Sequence, residues 1–213
     1  MKTRAIAIVD YDAGNLTSVA CAVRHLGKEP TITRDPKEVA AAERVIFPGV
    51  GAAGASMENL RRLGLDLALK EAFAAGRPIL GICIGCQIIF DRSEEDGGTP
   101  CLGLLRGNVR RFEFPPGVHR KVPHMGWNEV SFAGRHPVLQ GIPRGSQFYF
   151  VHGYYPLPDD AGIVEGTAAY GGVRFAAAVG YRNLAAVQFH AEKSGPPGLL
   201  ILENFLRWSP GES

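Results

Sequence analysis

The sequence predicts a doubly wound α/β protein: a mainly parallel sheet with helices on both faces and an antiparallel β extension in the second half. Three observations carry this. Strand and helix patterns alternate through the first half in the βαβ manner. Pro78 to Ile82 is apolar on both faces, as a central strand must be when helices cover each side. From about Gly103 to Ala178 the alternation gives way to short β-rich runs separated by Gly and Pro, which suits antiparallel strands and tight turns.

Taken in order, Ala5 to Val9 reads as the first strand. After the loop Asp10-Tyr-Asp-Ala-Gly14, Asn15 is placed to cap a helix. Its apolar positions Leu16, Val19, Ala20, Val23 and Leu26 keep one stripe, and Gly27 stops it. Thr31 to Thr33 is a short second strand, and Arg44-Val-Ile-Phe47 a third that ends in Pro48-Gly-Val-Gly51. A helix through Met57 to Ala75, closed by Gly76, returns the chain to the apolar strand at Pro78. The β-rich runs are Asn108 to Phe112, Ser146 to Val151 and Ala176 to Val179. Leu184 to Phe189 then rejoins the main sheet. Pro197 to Trp208 forms a last amphipathic helix with Leu199, Leu200, Leu202, Phe205 and Leu206 inward.

With 213 residues, 46% hydrophobic and 21% charged, the chain can bury a full core, and one domain over 1–213 is expected. Gly and Pro make up about a fifth of it, which reads as many turns and falls short of low-complexity disorder. The formal charge is +2, and Arg106, Arg110, Arg111, Arg120 and Lys121 are the nearest thing to a basic cluster, so no nucleic-acid footprint is indicated. No stretch approaches the roughly 18 apolar residues of a membrane span, and the N-terminal apolar run is too short for a signal-peptide core. A cytoplasmic protein is expected. Its four cysteines show no zinc-type pairing of C-x-x-C motifs, so no metal is anticipated.

The chemistry begins at Gly81-Ile-Cys83-Ile-Gly85-Cys86-Gln87, where a buried strand turns sharply into a helix start near Ile84. A thiol there occupies the place of a nucleophile at a strand-to-helix elbow, and the N–H groups of the helix start favour its thiolate. The competing readings are a buried structural Cys and, for Cys83-Ile-Gly-Cys86, a redox pair. A second apolar strand favours acyl chemistry because it ends in Phe189-His190-Ala-Glu192-Lys193. His190 can take a thiol proton, and Glu192 can orient the imidazole. Sites of α/β sheets lie at the carboxyl ends of strands, so the long sequence separation is no obstacle.

Pro48-Gly49-Val50-Gly51 could, with the N–H of Ile84, form an oxyanion hole, and Gln87 could hydrogen-bond an amide substrate. Of the other histidines, His152 also ends an apolar strand and is the runner-up base. His124 sits in an aromatic, amide-bearing loop suited to binding. His25, His119 and His136 read as surface residues.

Together, Gly81-Ile-Cys83-Ile-Gly85-Cys86-Gln87, Pro48-Gly-Val-Gly51 and His190-x-Glu192 resemble the class I (triad) glutamine amidotransferases. Asp10-Tyr-x-Ala-Gly-Asn15-Leu16, Pro123-His-Met-Gly-Trp-Asn128, Phe150-Val-His152-x-Tyr154-Tyr155 and Glu192-Lys193-Ser194 resemble, within that class, the glutaminase subunits of imidazole glycerol phosphate synthase. The resemblance covers nearly the whole chain. It implies a flavodoxin-like fold and a single type-1 amidotransferase domain without a cofactor. It also implies a cysteinyl thioester of glutamine at Cys83, and ammonia passed to a (β/α)8 cyclase subunit in a heterodimer. Asn15, Trp127 and Lys193 would then face that partner or the ammonia route. The pattern departs at Ala191, where Pro is usual, at Cys86, where Met is usual, and at Gly153, where Ser or Thr is usual. The alternatives are the glutaminase subunit of another synthase and a non-catalytic member of the same fold.

Overall fold

The structure, a computed structural model, describes residues 6–211. The strands in chain order are β1 (Ile6–Val9), β2 (Pro30–Thr33), β3 (Arg44–Phe47), β4 (Ile79–Ile82), β5 (Arg92–Ser93), β6 (Thr99–Pro100) and β7 (Gly107–Arg111). They continue as β8 (His124–Glu129), β9 (Ser131–Phe132), β10 (Gln147–His152), β11 (Tyr154–Pro158), β12 (Val164–Tyr170), β13 (Val173–Tyr181) and β14 (Leu184–Val187). The helices are α1 (Leu16–His25), α2 (Pro36–Ala41), α3 (Ala53–Leu63), α4 (Leu65–Ala74), α5 (Ile84–Gln87) and α6 (Gly195–Arg207).

The main sheet runs β2-β1-β3-β4-β14-β13-β12-β9. Its first five strands are parallel, in the flavodoxin-like order expected, and the last three continue it antiparallel. Alternation of side chains along each strand splits the core into two layers. Ile6, Ile8, Leu80 and Ile82 pack with Val19, Val23, Leu202 and Phe205 of α1 and α6. Ala7, Val9, Phe47 and Ile79 pack with Val39, Met57, Leu60 and Leu69 of α2 to α4. Among the described residues, no helix is long and apolar enough to cross a membrane.

Several boundaries differ from the sequence reading. Ala5, assigned to the first strand, lies outside the described residues. The stretch from Met57 to Ala75 is two helices. Gly64 at φ 70 ends α3 and begins α4, a left-handed conformation that its missing Cβ permits. The unforeseen α2 follows Asp35, whose carboxylate accepts the Lys37 N–H at 2.9 Å, with Pro36 at the first helical position. Asn15 precedes α1 but does not cap it through its side chain; it stands at φ 78, and its carboxamide is used elsewhere. The last helix begins at Gly195 and ends before Trp208, with Ile201 fully buried and Leu200 only partly so. The β-rich half is more than an extension of the sheet, because β10-β8 and β11-β7-β5-β6 form two further small sheets. His136 is not a surface residue. Its ring packs 4.7 Å from that of Trp208, and burial lowers its pKa to about 4.

Candidate active site

Three motifs separated in sequence meet because β3, β4 and β14 are neighbours. Pro48-Gly-Val-Gly51 follows β3, Cys83 follows β4, and His190 lies just beyond β14. The register pairs Ile82 with Val187, and the Cys83 N–H donates to the Val187 carbonyl at 2.9 Å.

Cys83 has φ 56 and ψ −108, a strained conformation for a residue with a Cβ and the mark of an elbow. The following helix α5 is a single turn, so its contribution comes from local N–H groups rather than a long aligned dipole. As the first residue of that turn, Ile84 has no intrahelical carbonyl partner for its N–H. Cys83 is 6% exposed, and its Sγ lies 3.9 Å from the Val151 carbonyl oxygen. Cys86 is fully buried, and burial followed by the charge of Cys83 pushes its thiol well up, so it stays protonated.

His190 is fully buried, and its Nδ1 lies 2.8 Å from Glu192 Oε1. The Asn15 carboxamide donates to the same oxygen at 2.5 Å. Asn15 Nδ2 also lies 3.3 Å from His190 Nδ1, but two donors cannot bond each other, so Nδ1–H serves Glu192. Nε2 is left for Cys83. Burial by itself would lower the His190 pKa, but the nearby Cys83 and Glu192 outweigh it and raise the pKa. Among the described residues Nε2 makes no hydrogen bond. The imidazolium form that a thiolate needs beside it is therefore favoured.

Ala191 opens the turn that carries Glu192. Ala191–Lys193 is one 3₁₀ turn held by Lys193 N–H to His190 O at 3.1 Å and Ser194 N–H to Ala191 O at 3.1 Å. The Ser194 hydroxyl donates to His190 O at 2.6 Å and accepts the Tyr149 N–H at 3.0 Å, tying the turn to β10.

His152, the runner-up base, has no nitrogen available for proton transfer. Its Nδ1–H donates to the Tyr154 carbonyl at 2.8 Å, and its Nε2 accepts from His124 Nδ1 at 3.0 Å. His124 Nε2 in turn faces the Asn128 carboxamide, 3.4 Å away. His124 thus belongs to strand β8 and is buried, contrary to the loop reading. Desolvation lowers the His124 pKa to about 4 and that of His152 to about 3, the latter opposed by Tyr154 O and assisted by His124 and His190.

A pH dependence of stability follows. Depressed folded-state values mean that the unfolded chain takes up protons near the ordinary 6.5 while the native chain does not. Stability is then full above about pH 6.5 and declines as pH falls toward the folded values. His152 alone is expected to cost about 2 kcal/mol at pH 5. The raised His190 acts in the opposite window, its contribution being intact below 6.5 and lost at alkaline pH. The urea midpoint should fall between pH 7 and pH 5; a flat midpoint would contradict this account.

A cavity of about 230 Å³ opens over Cys83, lined also by Val50, Gly51, Ile84, Gln87, Glu95 and His152. It is smaller than the roughly 300–1,000 Å³ of drug-sized sites and suits an amino acid. Gln87 donates through Nε2 to Tyr154 O at 2.9 Å and to Gln188 Oε1 at 3.0 Å, which leaves its oxygen as the group to face a ligand. Glu95, not singled out in the sequence, is the one carboxylate on this wall. Its Oε2 accepts the Ala53 N–H at 2.7 Å, and it stands five positions beyond Phe90, the end of the apolar run after the elbow, a place no local pattern marks. Of the residues assigned to a partner face, Trp127 is 55% exposed beside Met125 on β8 and Lys193 is exposed, whereas the Asn15 side chain is engaged with Glu192.

The chain matches the family "Glutamine amidotransferase class-I" over residues 7–208. It is 49% identical over 207 residues to "Imidazole glycerol phosphate synthase subunit HisH" of Dehalococcoides mccartyi (strain CBDB1), covering 97% of this chain and 98% of that protein. Identity is 50% over 212 residues to the protein of the same name from Aromatoleum aromaticum (strain DSM 19018 / LMG 30748 / EbN1), covering 96% and 99%. The structure of PurLQS from Thermotoga maritima superposes with a TM-score of 0.71 at 17% identity, over 95% of this chain and 97% of that one, a likeness of fold alone. Matched over nearly its full length, the chain belongs to the class I glutamine amidotransferases and, within them, to the family of imidazole glycerol phosphate synthase subunit HisH.

Proposed function

We propose that this chain, as one amidotransferase domain, is the glutaminase subunit of imidazole glycerol phosphate synthase in histidine biosynthesis. It hydrolyses L-glutamine to glutamate and ammonia and passes the ammonia to a (β/α)8 cyclase subunit. That partner makes imidazole glycerol phosphate and aminoimidazole carboxamide ribonucleotide. The observation that carries the reading is Cys83 on a strained elbow beside a His190 whose other nitrogen is held by Glu192.

The Cys83 thiolate attacks the side-chain amide carbon of glutamine, and the oxyanion is received by N–H groups of Ile84 and of the Gly49-Val50-Gly51 turn. The His190 imidazolium gives its Nε2 proton to the departing amide nitrogen, leaving a thioester and ammonia. Neutral His190 then takes a proton from water, whose oxygen attacks the thioester and releases glutamate. Glu192 and Asn15 hold the ring through both steps. Glu95 suits the substrate's ammonium group, and the Gln87 oxygen a further donor. Trp127, with Lys193, lies on the face offered to the cyclase, and Asn15 links that face to the triad.

The family resemblance further implies that the Gly49-Val50 peptide reorients to complete the oxyanion hole, which would couple hydrolysis to substrate bound on the partner. The chain alone should hydrolyse glutamine slowly, and the cyclase subunit with its nucleotide should raise turnover by about a hundredfold or more, the worth of one oxyanion donor. Full turnover by the chain alone would refute the coupling. Equal stimulation by the synthase subunit of another pathway would refute the assignment.

A further inference from the structure

We propose that Tyr11 is a positioning residue for the oxyanion turn: its buried hydroxyl fixes the Pro48–Gly49 peptide, so that reorientation is confined to the Gly49–Val50 peptide. This rests on the reading above, that the turn receives the oxyanion. Tyr11 is fully buried, and its Oη donates to the Pro48 carbonyl at 2.9 Å. The phenol also fills the space under the turn, since a Cβ on Gly49 would stand 1.9 Å from Tyr11 Oη and 2.7 Å from Ile84 Cγ2. Its ring is wedged against Phe47, the last residue of β3, at a centroid distance of 5.3 Å.

Peptide planarity converts this contact into a constraint. The Pro48 carbonyl and the Gly49 N–H belong to one rigid unit, and the Gly49 carbonyl and the Val50 N–H to the next. Holding Pro48 O immobilises the first unit. The second pivots at Gly49, which has the backbone freedom to do so and no side chain to obstruct it. Burial, then the charge of Cys83, raise the phenol's pKa against a hydrogen bond with Ser56, so the hydroxyl keeps the proton it donates. Four residues on, Asn15 holds Glu192, so the segment after β1 braces the oxyanion turn at one end and the base at the other.

The test is Tyr11→Phe, which keeps the ring and removes one oxygen, made in the full chain and assayed with its cyclase subunit and nucleotide. Glutamine turnover should fall about tenfold, as for a misplaced oxyanion donor, with KM within about twofold. Alkylation of Cys83 by iodoacetamide, followed on the Cys83 peptide by mass spectrometry, should keep the wild-type rate, because displacement at a saturated carbon forms no oxyanion. Unchanged turnover, or equal loss in both reactions, would overturn the proposal. Val50→Pro separates the underlying reading by deleting the N–H of the pivoting peptide. Wild-type turnover in Val50→Pro would overturn the oxyanion role of the turn itself. Inactive Val50→Pro beside unimpaired Tyr11→Phe would overturn only the role of Tyr11.

Discussion

With Cys83 replaced by Ser, glutamine turnover of the complex is expected to fall by about four powers of ten or more, while the fold and the binding of glutamine persist. The substitution changes one atom in a buried, strained position that Ser can occupy. What is lost is the match between nucleophile and base. A raised His190 pKa fits a thiolate–imidazolium pair, whereas a serine hydroxyl is far too weak an acid to hold its charge opposite an imidazolium. Binding and oxyanion donors remain, and they leave only a residual rate above water. Steady-state kinetics with isothermal glutamine binding would check this. A decline of less than tenfold would mean that Cys83 is not the nucleophile.

The second large effect concerns a residue with no chemistry of its own. A Cβ on Gly85 would come 2.0 Å from the Phe47 carbonyl oxygen, a backbone atom that no rotamer change can move aside. Gly85→Ala must push α5 away from the end of β3, separating Ile84 N–H and Cys83 from the Pro48–Gly51 turn. We expect a loss of about 3 kcal/mol in stability, at the upper end for overpacking, and at least a hundredfold in turnover from displacement on the order of 1 Å. Gly76→Ala is the control. There a Cβ would meet nothing within 4 Å, and only the left-handed φ of 74 is penalised, by about 1–2 kcal/mol. Denaturant melts and turnover of the two variants would separate the cases, and similar behaviour would contradict the close approach.

The sequence was most legible where one physical demand governed each position. The fully apolar Ile79–Ile82 could only be a doubly covered strand, and the glycines around Cys83 could only serve a sharp reversal. That Cys83 and His190 come to neighbouring strand ends was legible because each closes an apolar run. Legibility failed where tertiary contacts outweighed local preference. Asn15 has the composition of a helix cap, yet its carboxamide is worth more against a buried Glu192 that has few other partners. His124 looked like a loop residue because Pro123 and Gly126 flank it, and the strand arises only through pairing of Met125 to Val151 and Trp127 to Tyr149 across the ribbon. Glu95 was invisible because it reaches the cavity from a 3₁₀ turn with no pattern of its own.

We propose that Cys83, and no other thiol, carries the acyl group of glutamine. The direct measurement is intact and peptide mass spectrometry of the complex acid-quenched during turnover, with Cys86→Ala alongside the wild type. A γ-glutamyl adduct is expected on the Cys83 peptide in both proteins, since the buried Cys86 thiol stays protonated. An adduct on Cys86, or sustained turnover by Cys83→Ala, would contradict it.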